Sequence, residues 1–164
     1  MPQITIEYMI MIPLLILQIF LFPLVAGLIM NGWADSRRTL ELQETGSHLG
    51  SSIQQLYSSL NHDSISTGLV TDKLELPPFI EGYAYEGNAT LRTALDPLLN
   101  SSKILDITLT LKGTNIHSAL SVTLGQNAEW QDSVFASNST NLSVNAEKYF
   151  DHENEAIIRL SFGS

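Results

Sequence analysis

Three hydrophobic patterns follow one another along the chain. From Tyr8 through Ala34, in YMIMIPLLILQIFLFPLVAGLIMNGWA, apolar residues run on with no Asp, Glu, Lys, Arg or His among them, and the clearly polar side chains are Gln18 and Asn31. About 20 such residues at about 1.5 Å rise each cross the roughly 30 Å hydrocarbon layer of a bilayer, so this run is long enough to span one. A removable secretory signal has a basic start and an apolar core of about 7 to 15 residues. Here no Lys or Arg precedes Glu7 and the run is far longer, so a retained helix is expected. Pro13 and Pro23 each remove a backbone hydrogen bond from it. Together with Gly27 they predict bending or local melting between Pro23 and Gly32.

After Trp33 the chain turns polar, with apolar residues at Leu42, Leu49, Ile53, Leu56 and Leu60. The last four are spaced by four, three and four, the stripe of an amphipathic helix that packs one face on something. The apolar and amphipathic parts therefore predict one helix of some fifty-five residues ending near residues 61–66; the alternative is two helices hinged at Asn31 and Gly32.

From Leu74 onward the period becomes two. In ILDITLTLK, Leu105, Ile107, Leu109 and Leu111 alternate with Asp106, Thr108, Thr110 and Lys112, as in a half-buried strand. Leu120, Val122 and Leu124 repeat the alternation, as do Leu142, Val144 and Ala146, and then Ile158, Leu160 and Phe162. An earlier candidate, PPFIEGYAYEG, is fenced by Pro77, Pro78 and Gly87, and strand pairing is expected to begin there. Five or six short strands suggest an antiparallel sheet or small sandwich, with the stripe from Leu42 to Leu60 as a lid on one face. The expected fold is α+β. Residues 1–62 form a long N-terminal helix, apolar over 1–33 and amphipathic over 34–62, and residues 63–164 form a β-rich head.

Charge and cysteine usage narrow the function. Eight Lys plus Arg against seventeen Asp plus Glu give the 164-residue chain a net charge of -9. That balance repels a phosphate backbone, and no basic stripe offsets it locally, so no nucleic-acid partner is expected. Without cysteine the chain can form neither a disulfide framework nor a thiolate metal site, and the head must be held by its core. Four N-x-S/T sequons, at Asn88, Asn100, Asn138 and Asn141, all follow the apolar run. That is the arrangement of a glycoprotein whose head lies outside the cell.

One residue is out of keeping with its surroundings. Glu7 stands at the head of the uncharged run, where an ionisable group is costly and marks a functional contact. The start QITIEYMIMIPLL resembles the class III signal-peptide motif of the archaeal type IV pilin family. In that motif a Gln opens the mature chain, a Ser or Thr stands two positions later, and a Glu two beyond leads into an apolar helix. Those positions are Gln3, Thr5 and Glu7 here. Only Met1 and Pro2 precede Gln3, where the family's leader is normally longer and carries Lys, Arg or Gly; the processed chain is expected to begin at or near Gln3. The resemblance covers about the first thirty residues, and the head matches only in general character.

Several expectations follow from the resemblance. The chain would be cut by a prepilin peptidase, held in the membrane before assembly, and polymerised by pilus assembly machinery into an extracellular filament, with itself as main partner and possible surface ligands through adhesion. Glu7 would pair with the freed N-terminal amine of a neighbouring subunit. An adjacent ammonium favours a charged carboxylate in an apolar setting, and such a pair sets register more than it adds stability, because desolvation can cancel the attraction. Pro13 and Pro23 would let helices bend around one another in the core. The rival readings are a membrane-anchored extracellular binding module with Glu7 at headgroup level, and a minor pilin outside the bulk filament.

Catalytic, metal and cofactor chemistry finds little footing, and no enzyme is expected. His48 and His62 lie fourteen apart on a polar face, and His117 and His152 fall in expected loops; zinc asks for several N or S ligands closely spaced. The DHENE stretch, residues 151–155, has oxygen ligands but not the alternating acids and Gly of an EF-hand. No G-x-S-x-G elbow or Gly-rich phosphate loop is present. Trp33 closes the apolar run as an interfacial anchor would, and Trp130 in NAEWQD is either exposed and adhesive or part of the core.

Overall fold

The computed structural model describes residues 3–62, 64–94 and 102–163, with side chains described from Met9 onward. The chain divides into two units, Met1–Arg37 and Arg38–Ser164. Among the described residues one helix, α1 (Gln3–Leu60, 58 residues), supplies all of the α-helical structure. It ends at Leu60, one residue before the expected limit. Every residue between Pro23 and Gly32 is helical, so the local melting expected there does not occur and the hinge at Asn31 and Gly32 is not found. Isolated glycines cost about 1 kcal/mol each in a helix. A helix already propagating on both sides, rich in Leu, Ile and Met, offsets that without a new nucleus.

Within Arg38–Ser164, the later turns of α1 bury one stripe. Leu42, Leu49, Ile53, Leu56, Tyr57 and Leu60 all enter the core. Gly46 and Gly50 lie on the same side. A Cβ on Gly46 would sit 2.8 Å from Leu120 Cδ2, and one on Gly50 2.7 Å from Leu120 Cδ1. The two glycines thus let the helix backbone approach the sheet closely. Buried Thr45 satisfies its hydroxyl by donating to Glu41 O at 2.8 Å, one turn back. At the other end Lys148, itself buried, donates its Nζ to His62 O at 3.0 Å, just past the last helical residue. A cation beside the final carbonyls complements the helix dipole.

The described residues of the head form eight strands: β1 (Gly68–Lys73), β2 (Tyr85–Thr93), β3 (Lys103–Leu111), β4 (His117–Leu124), β5 (Ala128–Trp130), β6 (Val134–Ala136), β7 (Ser143–Phe150) and β8 (Ala156–Gly163). They form two four-stranded sheets, ordered β1-β7-β8-β5 and β4-β3-β2-β6. The pairings are antiparallel except β5 with β8, which run parallel with Ala128 opposite Ile158. Alternation places Leu105, Ile107, Leu109 and Leu111 of β3 in the same core as Val144 and Ala146 of β7 and Ile158, Leu160 and Phe162 of β8. Edge-to-face rings extend from sheet to sheet: Tyr85 to Phe135 at 6.3 Å, Phe135 to Phe162 at 4.8 Å, and Trp130 to Phe162 at 4.8 Å. Trp130 is therefore a core-packing residue rather than an exposed adhesive one.

The α+β architecture agrees with the patterns, while three strands escape them. β1 is an edge strand, nearly all of it exposed, with Leu69 and Val70 both facing solvent; lacking a buried face, it has no alternation to read. β5 and β6 have three residues each, too few to display a period. PPFIEGY carries only the isolated Ile80–Tyr83 bridge, turned by Glu81 (φ 48°) and Gly82 (φ 86°). Positive φ at both central residues is the geometry of a tight two-residue hairpin. Glu81 is held in that uncommon conformation with its carboxylate 3.0 Å from Arg38 Nε, whose guanidinium lies 4.9 Å over the Tyr83 ring.

Candidate functional site

The candidate site is the surface of α1 between Met9 and Trp33. About seven turns of apolar residues cover every side of the helix there, and the large side chains are exposed: Met9, Phe22 and Trp33 each by more than three-quarters, and Ile10, Leu14, Leu17, Leu21, Leu24 and Leu28 by half or more. Among the described residues this is the one helix long and apolar enough to cross a membrane. Burying each Leu, Ile, Met or Phe would contribute roughly 1.5–3 kcal/mol, so the segment has a strong tendency to leave water for lipid or for other apolar helices. Monomers in water rarely expose an apolar patch larger than a few hundred Å².

Pro13 and Pro23 both lie inside the helix. Their missing N–H groups leave the carbonyls four residues earlier, at Met9 and Ile19, without the usual partner. Gln18 and Asn31 are exposed on the same apolar segment. Gln3, Thr5 and Glu7 belong to the helix backbone, but their side chains lie outside the described residues. The structure therefore places Pro13, Pro23, Gln18 and Asn31 along one exposed helical segment.

The sequons map to the head. Asn88 lies in β2 opposite Thr108 and Val134, on the solvent side of its sheet, and Thr90 of its sequon is exposed beside it. Asn138 and Asn141 are exposed between β6 and β7. Asn100 lies outside the described residues.

The head carries a concave feature, a cleft of about 650 Å³ lined by residues that include Tyr57, Asn61, Lys103, Asn127, Glu129 and Glu155. Its polar groups largely serve one another. Tyr57 donates to Asn127, Asn127 Nδ2 donates to Asn61 Oδ1 at 2.9 Å, and Lys103 Nζ donates to Ala128 O at 2.8 Å. Burial raises the Tyr57 phenol above its ordinary value, opposed in part by a backbone hydrogen bond from Gly125. A phenol held protonated in this way is a structural donor. In the β7–β8 hairpin, Asp151 Oδ1 accepts from Glu153 N at 2.9 Å and Glu155 N at 2.8 Å, which makes it the organiser of its turn. No group of three or more His, Asp or Glu side chains among the described residues could hold a metal ion.

Two contributors to the docking of α1 went unread in the sequence. Gly46 and Gly50 stand four apart within the amphipathic stripe, a spacing that already marks close backbone approach. Lys148 falls on the inward phase of β7 after Val144 and Ala146, so the alternation itself pointed an ammonium into the core. No protein-family model, characterised protein or solved structure matches the chain.

Proposed function

We propose that this chain is a structural subunit of an extracellular filament of the archaeal type IV pilus kind. Its apolar helices pack together as the filament core, and its β heads, glycosylated at exposed sequons, form the outer surface for attachment. The observation that carries this reading is the exposed apolar surface from Met9 to Trp33 on a helix whose later turns are locked into a folded head. Such a helix can rest in a membrane first and then exchange lipid for identical helices. Head-to-tail contacts that do not close on themselves generate an open helical polymer. A prepilin peptidase cutting at or near Gln3 would free the amine that Glu7 pairs with, and assembly machinery would draw the subunit from the bilayer. The rival reading is a membrane-anchored module or minor pilin, favoured by the same helix being long enough to cross a bilayer.

Glu7→Gln separates them. It keeps shape and removes charge, so assembly should fall sharply while circular dichroism of the head stays unchanged, because a register-setting ion pair is lost. Filaments forming normally from Glu7→Gln would remove Glu7 from assembly and favour the anchor.

A further inference from the structure

The described apolar surface of α1 carries two carboxamides, Gln18 and Asn31, both exposed. Each has two N–H donors and an acceptor oxygen, and burying such a group without a partner costs free energy in lipid or in a filament core. They stand thirteen positions apart. At 3.6 residues per turn that is about 220° of net rotation, so Asn31 lies on roughly the opposite face from Gln18, about 20 Å further along the axis.

Opposite faces suit a contact between two parallel copies, each offering one face to the copy before it and the other to the copy after. We propose that, in the filament inferred above, neighbouring α1 helices pack in parallel with a stagger of thirteen residues, about 20 Å, which seats Gln18 of one subunit against Asn31 of the next. This register rests on the filament reading. It leaves any pair with an unused Asn31 face on one subunit and an unused Gln18 face on the other, so the contact propagates without closing. The same displacement carries Leu14 and Leu21, which share the Gln18 side, onto Gly27 and Ala34, which share the Asn31 side. A Cβ at Gly27 would meet nothing within 4 Å in the chain itself, leaving room for a neighbouring leucine. Small positions thus stand level with bulky ones beside the contact at which the two carboxamides meet.

The chain has no cysteine, so engineered thiols report contacts without background. Chains carrying Gln18→Cys and Asn31→Cys together, oxidised in filaments sheared from cells, should give a ladder of covalent multimers on a non-reducing gel, while either substitution alone gives monomers. Gln18→Cys combined with Gly27→Cys or with Ala34→Cys probes a shorter or a longer stagger. A ladder from either of those pairs in place of the first overturns the register and leaves the filament reading standing. The chain found solely as membrane-bound monomer, with no filament to shear, overturns the filament reading and the register with it.

Should the thiol variants fail to assemble, leucine variants decide. Gln18→Leu and Asn31→Leu should each lower filament yield at least about threefold, because each strands the other carboxamide, and the double variant should recover to within about twofold of the parent. A double variant no better than the worse single one contradicts the pairing.

Discussion

Helix α1 meets two different fates along its length. From Met9 to Trp33 its apolar residues occupy all sides and stay exposed, whereas from Leu42 to Leu60 they occupy one stripe and are buried against the head. An amphipathic stripe is satisfied by one partner, and the two sheets of the head supply it. A helix apolar all round needs partners on every side, and no single folded domain of this size surrounds it. The first part therefore looks outward for its burial and the second inward, although both belong to one uninterrupted helix.

The strongest test of that contrast is truncation. A chain starting at Arg38 keeps the whole buried stripe and should be a soluble, cooperatively folding monomer by gel filtration and thermal melting. A chain starting at Ser64 loses Leu42, Leu49, Ile53, Leu56, Tyr57 and Leu60 from the core, each worth roughly 1.5–3 kcal/mol of burial, and should not fold. Equal behaviour of the two would mean that the amphipathic part belongs with the apolar part.

Point substitutions sharpen the same line. Ile53, fully buried, should cost about 2–5 kcal/mol of head stability when changed to Ala. Leu17→Ala, at a position 59% exposed, should leave the melting temperature of the head within error and weaken assembly instead. A matching loss of melting temperature from both would erase the distinction.

A smaller effect comes with alkali. Burial pushes the Tyr85 phenol from 10.0 up to about 12, and its hydroxyl donates to Pro77 O at 2.8 Å. The folded head keeps this proton after the unfolded chain releases it. The stabilisation is therefore complete below pH 10 and is lost as pH rises toward 12, by on the order of 2–3 kcal/mol. The apolar run has no titratable side chain between Met9 and Ala34, so the loss should be confined to the head. Tyr85→Phe should remove the Tyr85 share of that loss and leave a shallower decline from Tyr57, whose phenol burial also raises, as followed by denaturant midpoints.

The legible parts of the fold were those where burial writes a period. Leu105 to Leu111 and Ile158 to Phe162 alternate because one side of each strand faces the core, and Leu49 to Leu60 repeat by three and four because one side of the helix does. β1 was invisible for the complementary reason, since an exposed edge leaves either phase free to vary. The parallel pairing of β5 with β8 depends on a three-residue strand set by tertiary packing that no local pattern encodes. Of the candidate site, the apolar run could be read directly from its length. The opposed placement of Gln18 and Asn31 became apparent only once the helix was known to run through Pro23, Gly27 and Gly32 without a break.

The most direct test of the outward-looking helix is mass spectrometry, with N-terminal peptides, of filaments sheared from the cell surface and purified. The account predicts that this chain dominates the preparation and begins at or near Gln3. Its retention in the membrane fraction, with filaments made of other chains, would contradict the account and identify α1 as an anchor.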